Sequence, residues 1–198
     1  MSHQSLLSAA SAGHARQRII VDHERQQNDF YIDPPFCTEL LLGAVGFCGP
    51  VWDPCCGRGT IPEVFDRLGT RDNGIRASDL VDRGYPGTEI IDFFASRDSA
   101  ENIVFNPPYA QAEAFIRHAL DLASGVVAAL VNLKFLASQG RRQRLFVPYP
   151  PVQILVLSRR PSMPPGGSGL AAKGGTADYC WLLHQRGHVG PTMMRWLA

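Results

Sequence analysis

Short apolar runs alternate with longer amphipathic ones along the chain, and the pattern predicts strands and helices in turn. An extended segment over residues 30–35 leads into a helix over 36–45 that carries Leu40, Leu41 and Leu42. Val51-Trp52-Asp53 reads as a short buried strand, and residues 61–68 as a helix. Further strands are expected at 74–79, 89–91 and 103–105. Residues 110–123 fit an amphipathic helix with Phe115, Ala119 and Leu122 on one side. The unbroken run Val126-Val127-Ala128-Ala129-Leu130-Val131 has no polar alternation, as expected of a central parallel strand covered on both faces. A helix over 139–146 and late strands over 152–157 and 178–183 complete the reading. The fold class is therefore α/β, a mostly parallel open sheet with helices on both faces.

Each of the first four strands ends at a polar side chain: Asp53, Asp79, Asp92 and Asn106. Open α/β sheets bind ligands beyond the carboxyl ends of their strands, so these four are expected around one cleft. The organisation predicted is a polar arm over 1–29, then a single domain over 30–198 with a flexible loop at 161–176. That loop holds Pro164-Pro165-Gly166-Gly167-Ser168-Gly169 between two predicted strands.

Composition narrows the classes. An apolar content of 45% supplies a full core, and no run of eighteen apolar residues is present. No secretory signal is evident, so a cytoplasmic protein is expected. The five cysteines lack CxxC spacing, which favours reduced thiols over a disulfide framework or a metal site. Charge is uneven. Residues 1–98 hold 9 basic and 14 acidic side chains, and residues 99–198 hold 10 basic and 4 acidic. A basic second half suits a polyanion such as nucleic acid, although an arginine-rich composition alone gives the same count.

The chemistry is concentrated at the strand ends. In Asn106-Pro107-Pro108-Tyr109 the prolines remove two N–H groups and hold the chain extended, leaving the Asn106 side-chain oxygen and the Pro107 carbonyl as acceptors. That pair fits the two hydrogens of an exocyclic amine, with Tyr109 to stack on the flat group that carries it. A plain strand-ending turn is the competing reading. In Asp53-Pro54-Cys55-Cys56-Gly57-Arg58-Gly59-Thr60, Gly57 and Gly59 allow close approach of backbone to a ligand at a helix start, without the lysine of a phosphate loop. Asp79 lies where a carboxylate accepts ribose hydroxyls, or else serves as a cap or a solvated acid. Asp92 fits an adenine amino group, with Phe93 against the ring. Together these describe an adenosyl ligand without phosphates, and S-adenosylmethionine matches it.

These motifs, in this order from Tyr31 to Tyr109, resemble the amino methyltransferases of nucleic acid. They are most similar to the N6-adenine DNA methyltransferases of small phage or prophage type, over roughly residues 30–135. The resemblance implies a Rossmann-like class I methyltransferase fold, S-adenosylmethionine as cofactor, DNA as partner, and no metal. By position it implies that Asp53, Cys55, Gly57 and Gly59 line the methionine end, Asp79 holds the ribose, and Asp92 and Phe93 hold the adenine. Asn106, Pro107 and Tyr109 would position the target amine. Asp33 stands where that family commonly has threonine, so Thr38 is the expected replacement at the methionine carboxylate. Arg141, Arg142, Arg144, Arg159 and Arg160 and the 161–176 loop are the candidates for target recognition, which otherwise falls to a partner protein or a homodimer. Methylation of RNA or of a protein glutamine, and a non-catalytic nucleic-acid-binding module, are the alternatives.

Overall fold

The computed structural model describes residues 29–69, 74–166 and 175–198. Eight strands form one sheet: β1 (Val51–Asp53), β2 (Ile75–Asp79), β3 (Glu89–Ile90), β4 (Asn102–Phe105), β5 (Val126–Asn132), β6 (Gln153–Leu157), β7 (Tyr179–Gln185) and β8 (Met193–Leu197). Their order is β3-β2-β1-β4-β5-β7-β6-β8. Every neighbouring pair is parallel except those made by β7, which runs antiparallel to both β5 and β6. The chain runs outward from β1 to β3 and then returns to place β4 on the other side of β1. The crevice at such a reversal is where open sheets of this kind hold ligands.

Helices α1 (Phe36–Ala44) and α2 (Thr60–Leu68) cover one face, and α3 (Ala112–Leu122) covers the other. The period-two alternation of the central strands feeds both layers. Ile103, Phe105, Val127, Ala129 and Val131 pack towards α3. Val104, Ala128 and Leu130 pack with Leu41 of α1 and Phe65 of α2. Two buried indoles find partners for their N–H groups, as they must away from water. Trp181 Nε1 donates to the Cys37 carbonyl at 2.8 Å and ties β7 to α1, while Trp52 Nε1 donates to Ser78 Oγ at 2.8 Å across β1 and β2.

The expected elements are present with end shifts of at most two residues. Three differences have physical causes. The helix expected over 139–146 is a single α turn, α4 (Gln139–Arg141), that widens into a π-helical turn at Arg142–Phe146. Strand β8 was not expected: four of its five residues are exposed, so it carries no alternating burial pattern to read. The third strand closes at Ile90: the Ile91 N–H makes the last ladder bond, to the Asp79 carbonyl, and Asp92 then caps the turn that follows. The expected arm, apart from Asp29, and loop residues 167–174 lie outside the described residues.

Candidate active site

A cavity of about 330 Å³ opens beyond the carboxyl ends of β1, β2 and β4. That is the size range of small-molecule sites. Its floor is the turn between β1 and α2. Asp53 Oδ1 accepts the Cys55 N–H at 3.1 Å and folds the chain back at the strand end. Gly57 has φ +57°, and a Cβ there would lie 2.7 Å from the Phe30 ring. Its N–H donates to Asp79 Oδ2 at 2.9 Å. Gly59 has φ +86° and begins α2, and a Cβ there would enter the Tyr85 ring. Both glycines occupy left-handed backbone that other residues rarely adopt.

Asp79, at the end of β2, also accepts the Val81 N–H at 3.0 Å and faces Arg83 Nε at 3.5 Å. The Arg83 guanidinium lies over the Phe30 ring, 3.9 Å from its centroid. One wall beyond β3 is aromatic. Asp92 caps a short 3₁₀ turn, Phe93–Ala95, by accepting the Phe94 N–H at 3.0 Å. Phe93 is only 3% exposed and packs edge-on to Trp52 and His118. The half-buried Phe94, edge-on to Phe115, is the more accessible ring of this wall.

The Asn106 corner is fixed from three directions. Cys55 Sγ donates to the Asn106 carbonyl at 3.3 Å. Asn106 Nδ2 donates to Asp33 Oδ1 at 3.2 Å. Asn106 Oδ1 and Asp33 Oδ2 have no hydrogen-bond partner among the described residues. The Tyr109 hydroxyl is bonded to the Tyr179 hydroxyl at 2.8 Å, and its ring is stacked on Tyr31. Residues 29–33 form a strap over the cavity. Asp29 Oδ2 accepts the Ala110 N–H at 2.7 Å, Ile32 N–H donates to the Pro164 carbonyl at 3.1 Å, and Gly166 N–H donates to the Phe30 carbonyl at 2.9 Å.

Burial dominates the electrostatics. It pushes the Asp33 carboxyl up to about 6, against the opposing pull of its own backbone N–H and of Asn106. Asp53 is raised well above the usual carboxylate range, by burial first and then by the charges of Asp33 and Asp79, while the Cys55 N–H opposes the rise. Cys55 is raised for the same reasons, and Cys56 is pushed up to about 12, so both thiols stay protonated. Carboxylates crowded in this way are relieved by a bound cation.

Of the residues singled out from the sequence, Asp53, Cys55, Gly57, Asp79, Asp92, Phe93, Asn106, Pro107 and Tyr109 line this one cavity. Gly59 shapes the turn beneath it without lining it. Thr38 corrects an expectation. Pro34 and Pro35 start α1 directly after Asp33, which carries Thr38 inward, where it is fully buried and does not reach the cavity. Sequence reasoning passed over Phe94, Arg83 and the Asp33–Asn106 contact. Arg83 carried a signal, since it stands four residues after Asp79. The expected basic recognition face is largely engaged internally. Arg144 forms a double contact with Glu113, Arg160 pairs with Asp178, Arg141 lies over Phe135, and Arg159 lies over Phe36. Among the described residues there is no cluster of potential metal ligands, and no helix long and apolar enough to cross a membrane.

Comparison with solved structures defines the class of fold. A presumed RNA methyltransferase from Pyrococcus horikoshii superposes with a TM-score of 0.59 at 15% identity, over 80% of this chain and 87% of that one. The modification subunit of a presumed type I restriction enzyme from Vibrio vulnificus gives 0.54 at 15% identity, over 82% of this chain and 45% of that one. This chain thus spans less than half of that subunit. The 23S rRNA methyltransferase ErmE gives 0.51 at 16% identity, over 82% of this chain and 71% of that one. The chain has the Rossmann-like fold of the class I methyltransferases. No family model matches it, and a search of curated proteins finds no match.

Proposed function

We propose that the protein is an S-adenosylmethionine-dependent methyltransferase that modifies an exocyclic amino group of nucleic acid, adenine N6 in DNA being the target. The observation that carries this reading is Asn106, which lines the same cavity as the acids that end β1 and β2 and whose shielded Oδ1 has no hydrogen-bond partner among the described residues. An amine with two hydrogens needs two acceptors. The second is the Pro107 carbonyl, which no described donor reaches.

The residues present fit the cofactor. Its sulfonium and ammonium are cationic, and Asp33 and Asp53 are carboxylates raised by burial, with no basic side chain paired to either among the described residues. Asp53 and the Gly57 turn would hold the methionine end, Asp79 the ribose, and Asp92 with Phe93 and Phe94 the adenine. When bound, the cofactor supplies an electrophilic methyl group. The chain's own contribution is orientation. Asn106 and Pro107 accept from the target amine and favour a pyramidal nitrogen whose lone pair faces the methyl group. No general base is needed beforehand, because the methylated ammonium is acidic and releases its proton. A target within a duplex must first be flipped out, and Tyr109 would stack on it.

RNA is the second reading, supported by the two solved neighbours whose names describe RNA methyltransferases. The neighbour named as a modification subunit of a restriction enzyme supports DNA. The single domain over 30–198 and recognition by a partner or a second copy belong to this proposal. Transfer of tritium from labelled S-adenosylmethionine to separate DNA, RNA and protein fractions tests it. Label in DNA is expected, and label confined to protein would contradict the reading.

A further inference from the structure

We propose that Asp33 is a positioning residue: its carboxylate holds the Asn106 amide in the one rotation that presents Oδ1, rather than Nδ2, to the target amine. This rests on the reading of Asn106 given above. The two ends of a primary amide are nearly the same shape, and a half-turn exchanges an acceptor for a donor. A donor at this point would oppose the hydrogens of an amine, so the site works only in one of the two orientations. The Asn106 backbone cannot make the choice, because its carbonyl is taken by Cys55 Sγ and the next residue is proline. The choice is made by Asp33 Oδ1, 3.2 Å from Nδ2. An ionised carboxylate only accepts, so the amide must turn its N–H towards it.

The sequence around Asp33 limits the local partners of its carboxylate to its own backbone N–H. Aspartate commonly bonds the backbone N–H two residues onward. Here the next two residues are Pro34 and Pro35, which have none. Asp33 is 6% exposed and has no basic partner within ion-pair distance among the described residues. A buried acid kept so is poorly explained by a structural role alone.

The arrangement carries a pH dependence. A protonated Asp33 has a hydrogen to give, so the amide is free to turn over and present its N–H to the cavity. Burial brings that protonation up to about pH 6. The titratable groups facing Asp33 are Asp53 at the end of β1, Cys55 in the glycine turn, Cys37 in α1 and Tyr109 beyond β4. The thiols and the phenol stay neutral throughout that range. Asp53 is also raised, by burial first, and Asp33→Asn separates the two, since it leaves Asp53 in place.

Two readouts test the proposal. The first is the Asn106 side-chain amide signal in ¹⁵N-labelled protein between pH 5 and 8. It is expected to titrate with a midpoint near 6 in the wild type and to show no such step in Asp33→Asn. The second is kcat at saturating S-adenosylmethionine on adenine-containing DNA oligonucleotides. It is expected to fall tenfold or more in Asp33→Asn with loss of the acid limb near pH 6, and to recover in part in Asp33→Glu. An amide signal insensitive to pH, or an Asp33→Asn enzyme with wild-type kcat and an unchanged acid limb, overturns the role of Asp33. An amide that titrates as described in a protein that methylates no DNA or RNA supports the role of Asp33 and overturns the functional reading instead.

Discussion

Tyr31 lies stacked on Tyr109, with ring centroids 5.0 Å apart and planes inclined by 19°. No flat group fits between two rings at that separation, since each stacked contact needs about 3.5 Å of its own. A base that stacks on this face of Tyr109 therefore has to displace Tyr31. The exchange replaces one aromatic contact, worth about 0.5–1.5 kcal/mol, by another. Tyr31→Ala is expected to tighten binding of an adenine-containing oligonucleotide by about two- to tenfold in a fluorescence anisotropy titration. Weaker binding would show instead that Tyr31 belongs to the seat itself.

Gly57 is the point where the strap, the turn and Asp79 meet. Its left-handed φ and the Phe30 ring 2.7 Å from a would-be Cβ leave no room for a side chain. Gly57→Ala is expected to lower stability by about 1–3 kcal/mol and to weaken binding of S-adenosylhomocysteine at least tenfold. Thermal melting and calorimetric titration measure the two effects.

Asp79 has two kinds of partner in the free protein, the N–H groups of Gly57 and Val81 and the Arg83 side chain. Asp79→Ala releases the glycine turn and removes the proposed ribose acceptor together. A fall in cofactor affinity of tenfold or more, on the order of 1.4 kcal/mol, is expected by calorimetry. Unchanged affinity would remove Asp79 from the site.

Asp33 sets function against stability. Its carboxyl titrates near 6 in the folded chain, above the ordinary value of 3.8, so the folded state holds the proton more tightly than the unfolded one. The stability gained from that proton is present at low pH and lost as pH rises through the window from about 4 to 6. Asp33→Asn is expected to raise stability at pH 8 by about 1–3 kcal/mol while slowing turnover. His184 works in the opposite direction. Burial lowers it to about 4, so the unfolded chain binds the extra proton and stability falls as pH drops from about 6.5 towards 4. Melting curves across pH 4–8 for the wild type, Asp33→Asn and His184→Leu separate the two trends.

Much of this architecture was legible in the sequence, because central strands buried on both faces read as unbroken apolar runs, although the strand expected to be parallel at 126–131 is parallel to β4 and antiparallel to β7. Residues 126–131 are the clearest case, and the polar residue closing each early strand marks where the sheet opens. What escaped was decided by contacts between distant residues or within single turns. Asp33 and Asn106 are 73 residues apart, and nothing local to either pairs them. The 3₁₀ turn capped by Asp92 decides that Phe93 is buried while Phe94 is the more accessible ring. The two prolines that start α1 turn Thr38 away from the cavity. Strand β8 was illegible because an edge strand with exposed Met193, Met194 and Trp196 lacks the alternation that marks a half-buried strand.

The central claim is that Asn106 aligns an exocyclic amine for methyl transfer. Its most direct test is nucleoside mass spectrometry of DNA incubated with S-adenosylmethionine and either the wild type or Asn106→Ala, beside calorimetry of cofactor binding. The account predicts N6-methyladenine with the wild type, a loss of at least a hundredfold with Asn106→Ala, on the order of 3 kcal/mol, and cofactor affinity within about threefold. Equal methylation by the two proteins would contradict it.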